Sequence, residues 1–171
     1  MLHAAACLRA FIGGQDVVLV TGGRSSPVEC TADAWLARVS LDPAHAPLSW
    51  HAVRVEPQAP LRRWSHTSSC VASEHGLATV LLFGGRDVDF VKGDLIRLTV
   101  SDTGDGSAVA AVEVMSPTGC APCPRFGHAA AVVSAGCSLL IHGGYASHSL
   151  DASVSVPVLL HDSVRYAIVN S

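Results

Sequence analysis

Apolar and polar positions along this chain fall into short, ordered stretches. Continuous apolar or nearly apolar runs occur at 17–20 ("VVLV"), 79–83 ("TVLLF") and 138–141 ("SLLI"), and each runs into a Gly-Gly pair. Such runs suit strands buried on both faces near the axis of stacked sheets. Downstream of the first pair, Trp35, Ala37, Val39 and Leu41 alternate with Leu36, Arg38 and Ser40. Downstream of the second, Ile96, Leu98 and Val100 alternate with Leu95, Arg97 and Thr99. A period of two over six to eight residues predicts a half-buried strand. A further strand is predicted in "SWHAVRVE" and in "VAAVEVM", where Trp50 stands as far beyond Gly22 as Val112 stands beyond Gly84. Turn-rich stretches such as "DPAHAPL" and "SDTGDGSA" separate these segments. No helical periodicity competes.

The pattern is a repeat. The glycine pairs are Gly22–Gly23, Gly84–Gly85 and Gly143–Gly144, and they recur at nearly equal spacing. A second marker keeps the same phase: His3, His66 and His128 recur at that spacing too, the last two in R-x-x-H with Arg63 and Arg125. Two independent markers with one period define repeating units at roughly 1–60, 61–121 and 122–171. Each unit predicts four short strands, although the third offers no recognisable fourth. One four-stranded sheet cannot bury both of its faces, whereas sheets stacked radially cover one another. The expected fold is all-β, with about three four-stranded blades of a β-propeller in an incomplete ring. The glycines then end a strand where a positive φ or a close backbone approach is needed.

These residues resemble kelch repeats: R-x-x-H before small residues, an apolar run into Gly-Gly, an alternating strand, and a tryptophan, Trp50, on the last strand. The resemblance covers nearly the whole chain and implies propeller blades acting as a non-catalytic platform for a protein partner. Val112 departs from it by standing where a tryptophan is expected. "GGRSSP", "RRWSH" and "FGGRDV" also resemble the carboxyl-terminal kelch region of the tRNA wybutosine-synthesizing protein 4 family, or leucine carboxyl methyltransferase 2. That resemblance implies the propeller portion of an S-adenosylmethionine-dependent enzyme of tRNA modification, with tRNA as a partner of the parent. No strand followed by a glycine-rich cofactor loop occurs here, so no cofactor is expected in this chain. Three units fill this sequence, and propellers need roughly four to eight blades. The first unit also opens inside its R-x-x-H element. The expectation is part of a longer protein, with an apolar sheet face open at each end.

Composition changes this picture little. With 49% hydrophobic and 15% charged residues, 171 residues suffice for one domain with a sizeable core. A net charge of -3 gives no reason to favour DNA or an anionic membrane. Cys7, Cys30, Cys70, Cys120, Cys123 and Cys137 show no disulfide framework, which points to a reducing, cytoplasmic setting. The opening "MLHAAACLRAFIGG" lacks the basic region of a signal peptide, and the longest low-charge run is too short to span a bilayer.

Several groups invite chemistry. The Gly-Gly loops lack the lysine and helix of a phosphate-binding loop, and strand termination accounts for them. "CAPC" (120–123) near His128 could be half of a zinc or redox site, but no second ligand pair exists. His3, His66 and His128 are explained most economically by a structural hydrogen bond in each unit. Arg24 and Arg86 follow the glycine pairs, and Arg63 and Arg125 open the first strands. They either form a basic rim for acidic peptides or RNA phosphates, or pair with acids such as Asp87, Asp89 and Asp94. No metal ligand or catalytic residue is assigned.

Overall fold

The computed structural model describes residues 3–40, 47–116, 121–133, 138–151, 154–160 and 162–167; Cys120 and Cys137 lie outside them. In the first unit, β1 (Ala4–Ile12), β2 (Gln15–Thr21), β5 (Ala34–Val39) and β6 (Leu48–Glu56) form an antiparallel meander. A small ribbon of β3 (Arg24–Ser26) and β4 (Glu29–Cys30) interrupts it between β2 and β5. The second unit repeats the meander with β7 (Thr67–Glu74), β8 (Leu77–Phe83), β9 (Leu95–Asp102) and β10 (Ala108–Met115). In the third, β11 (Ala129–Val133) and β12 (Ser138–His142) are followed by the hairpin β13 (Tyr145–Asp151) and β14 (Val154–Leu159). Strand β15 (Ser163–Ala167) then returns beside β12. The fold is all-β and propeller-like, and no helix among the described residues is long and apolar enough to cross a membrane.

The first two blades share one sheet. A short parallel ladder pairs Val53–Glu56 of β6 with 108–111 of β10, giving the strand order β1-β2-β5-β6-β10-β9-β8-β7. The sheet curls until β1 packs against β7, so the two ends of that order meet. Inside the curl lies the main core. Leu8, Leu19 and Leu36 of the first blade meet Val80, Leu82, Ile96 and Leu98 of the second. A second core, with Leu81, Phe83 and Leu95 on one side and Leu139 and Ile141 on the other, joins the second blade to the third.

This arrangement explains the difference between two sequence runs that look alike. Val80, Leu81, Leu82 and Phe83 in β8 are all buried, because successive side chains point to opposite faces and each face has a blade against it. In β2 only Val17 and Leu19 of the valine and leucine residues are buried; Val18 and Val20 point away from the second blade and are half-buried. The apolar run signals two covered faces only where the chain supplies both covers.

Candidate functional site

The repeat markers converge at one end of the blades, where the second strand of each turns into the third. Gly22 and Gly84 both have positive φ, +56° and +62°. A Cβ on Gly84 would stand 2.5 Å from the carbonyl oxygen of Arg125, and one on Gly22 2.5 Å from that of Arg63. Each glycine pair therefore lets one blade's backbone lie directly on the next blade's R-x-x-H segment. Gly23 N–H donates to Arg63 O and Gly85 N–H to Arg125 O, both at 2.8 Å. Gly84→Ala should lower stability by more than about 2 kcal/mol, from φ strain plus the displaced carbonyl. Gly104→Ala, at φ +84° with open space around it, should cost only about 1 kcal/mol. Chemical denaturation of both variants checks this, and equal costs would contradict the close-approach account.

The two arginines expected to open the first strands lie four residues ahead of them, before Thr67 of β7 and Ala129 of β11, and are the largest fully buried side chains among the described residues. Arg63 grips Asp94 with both terminal nitrogens at 2.8 and 2.7 Å and also donates to Gly84 O and Pro60 O. Arg125 repeats the arrangement with Asp162 (2.7 and 2.8 Å), Gly143 O and Cys123 O. In the second and third blades the guanidinium thus fastens the glycine turn to the start of the strand that pairs next to it, β9 or β15, and the arginine's own carbonyl fastens the blade before. Burial by itself would raise the Asp94 carboxyl, but the hydrogen bonds and charge of Arg63 outweigh it and hold the group below the usual carboxylate range. The Asp162 carboxyl is lowered by its bonds to Arg125.

The histidines lie between blades. His66 Nε2 faces Thr21 Oγ1 at 3.0 Å, and His128 Nε2 faces Thr67 Oγ1 at 2.9 Å. The Nδ1 of each is buried with no hydrogen-bond partner among the described residues. A neutral ring with its proton on Nε2 fits both, donating to the threonine and leaving a lone pair, not an unmade N–H, inside. Burial, with the neighbouring arginine's charge adding to it, lowers His66 to about 3 and His128 to about 4. His3 uses a different bond, donating from Nδ1 to Gly22 O at 2.6 Å. Cys123 is exposed, and its Sγ accepts from Arg125. No group of three metal-ligating side chains is found among the described residues.

At the same end runs a row of rings and guanidiniums of which the sequence pattern marks only a part. Arg24 stacks on Trp64 at 5.4 Å; Arg86 lies 5.3 Å from both Trp64 and Phe126; Phe126 stacks on Tyr145 at 5.7 Å. Backbone pairs Trp64–Arg86 and Phe126–Tyr145 hold the row in place. It crosses all three blades. Beside it the loop tips expose Val28, Val88 and Phe90, with Phe90 at 70%. Acids share the rim: Asp87 binds Lys92 at 2.7 Å, and Glu29 accepts from Ser25. Trp50, the other sequence marker, is far from this row by element, on β6, and half exposed. The residue after the arginine of R-x-x-H, Trp64 or Phe126, was the available signal for the row, since it is aromatic in both complete copies.

The chain matches no protein-family model and no curated protein. Among solved structures it is similar to a chain of the "Cryo-EM structure of RAG in complex with one melted RSS and one unmelted RSS". That match has a TM-score of 0.52 and 18% identity over 98% of this chain and 52% of the other. The likeness is one of fold, and this chain spans about half the length of the solved one.

Proposed function

We propose that this chain is a non-catalytic binding module of kelch type that holds a protein partner on its Gly-Gly end. The observation that carries the reading is the row Arg24, Arg86, Phe126 and Tyr145, set on the buried ring of Trp64, beside the exposed Phe90 and Val88. Tryptophan, tyrosine and arginine are the residue types that concentrate binding energy at protein interfaces, and loops on a rigid scaffold are where binding surfaces are built. The row is pre-organised by backbone pairing, which reduces the ordering cost of binding. The kelch identification rests on the R-x-x-H and Gly-Gly markers together with the blade meanders they punctuate. The tRNA reading draws its support from the sequence resemblance. The rim's arginines sit among Asp87, Asp89 and Glu29, a mixed-charge surface that suits a protein better than a phosphate backbone.

A photo-reactive phenylalanine at position 90 tests this in cells, with the same group at position 105 in the turn between β9 and β10 as the control at the opposite end. Protein adducts at 90 and not at 105 are expected. RNA adducts at 90, or equal adducts at the two positions, would overturn the reading.

A further inference from the structure

The first blade presents an apolar sheet face that no described residue covers. Val18 pairs with Ala37 and Ala37 with Trp50, while Val39 pairs with Leu48, so these side chains share one face with Trp35. Trp35, Val39, Leu48 and Trp50 are 41, 64, 47 and 52% exposed. The second blade shows what such a face is for. Gly22 N–H donates to Asp33 O and Gly84 N–H to Asp94 O, so Trp35, Ala37 and Val39 are the counterparts of Ile96, Leu98 and Val100. Those three are wholly buried, because the preceding blade lies on them.

We propose that a second copy of this chain covers the face, its third blade standing where a preceding blade would, so that the described blades of two copies close one ring of six head to tail. A preceding blade must offer the face that the second blade turns to the third, which carries Leu81 and, beside it in the register, Arg97. At the same places the third blade has Leu140 and Arg165, paired with each other and pointing outward, with Leu140 38% exposed. An arginine at this position fits such a junction. Arg97 stands beside Leu81 there, bound to Glu113 of its own blade, and Arg165 likewise binds within its own blade, donating to Ser138 Oγ at 3.1 Å. The chain therefore carries both halves of its own blade-to-blade contact, one at each end of the described strands.

Extent and area agree. Six blades fall within the range that closes a propeller, and the solved chain of the same fold has about twice this chain's length. Three strands about 4.8 Å apart, the number in the third blade's described sheet, with three outward residues on each make a face of roughly 300 Å². Two such junctions per pair bury about 600 Å² per copy, the lower end for a stable specific interface. A single face-to-face contact between two first blades, of four strands each, would bury about 400 Å² per copy and fall short of it.

Sedimentation velocity from about 1 to about 100 µM reads the outcome, with tryptophan emission recorded in parallel. The wild type should sediment at twice 17.7 kDa, and its emission should move to the blue as Trp35 and Trp50 leave water. The double variant Trp35→Glu/Trp50→Glu should keep its far-ultraviolet circular dichroism, since both side chains lie outside the core, and should associate on the order of 100-fold more weakly. A wild type that stays monomeric throughout, one that forms open-ended polymers, or a variant as dimeric as the wild type would each overturn the proposal.

Discussion

Replacing Arg63 by methionine should destabilise the protein by about 3 kcal/mol, lowering the midpoint of thermal unfolding by roughly 6–12 °C. The size follows from what the guanidinium leaves behind. Methionine fills similar volume but makes none of the bonds to Asp94, Gly84 O or Pro60 O. Breaking a buried ion pair from one side costs about 3–5 kcal/mol because the remaining charge is uncompensated. Asp94 keeps 32% of its side chain accessible, so water can partly replace the lost partner and the lower end applies. Arg63→Lys should recover only part of the loss, since an ammonium cannot grip both carboxylate oxygens and two carbonyls at once. By contrast Arg86→Ala, which removes ring stacking at the rim and a long hydrogen bond to Asp87 O, should cost about 1 kcal/mol or less. An Arg63→Met protein within about 1 kcal/mol of wild type in urea titration would show that the blade junction does not depend on this group.

Acidification should remove stability well before the carboxylates titrate. His66 and His128 have folded values near 3 and 4, against about 6.5 in an unfolded chain. Below pH 6.5 the unfolded state binds two protons that the folded state refuses, so stability is complete above that pH and falls as pH drops toward 4 and then 3. Each histidine contributes a slope approaching about 1.4 kcal/mol per pH unit, and together they should remove about 3–4 kcal/mol between pH 6.5 and 5. Asp94 and Asp162, held low by their arginines, add their own loss only as pH falls through the usual carboxylate range and below it. Denaturation midpoints at intervals between pH 7.5 and 4.5, for wild type and His66→Gln/His128→Gln, separate the two sources. The double variant should lose most of the slope whatever its absolute stability, and a wild-type curve flat through this range would mean that both rings can protonate in the folded state.

The blades were legible because their signals are local. A run of apolar residues into Gly-Gly, and Trp35 alternating with Leu36, state a strand and its end within a few positions. The markers' partners were less legible. Asp94 stands close enough to the Gly-Gly pair for the sequence to offer it to the arginines, whereas its counterparts Asp33 and Asp162 share no fixed offset, because the loop after Gly-Gly differs in length in every blade. The third blade's loop holds the hairpin β13–β14, which pushes Asp162 far down the chain. The threonines that meet His66 and His128 come from different strands, Thr21 ending β2 and Thr67 opening β7. No period could have paired them. Of the rim, Arg24 and Arg86 were visible as a repeated position, while Trp64 between them was not, since their stacking joins two neighbouring blades.

The sequence by itself determined the period, the strand order of the four-stranded meander in the first two blades and the places where backbone must turn with positive φ, because hydrophobic alternation and glycine act over a few residues. Only the tertiary structure decided which face of each strand is covered. Val80 and Val18 occupy the same place in their repeats, yet one is buried and the other half open. Burial is set by what lies about 10 Å away across the sheets, and that is a property of neighbours, which among the described residues the first blade has on one side alone.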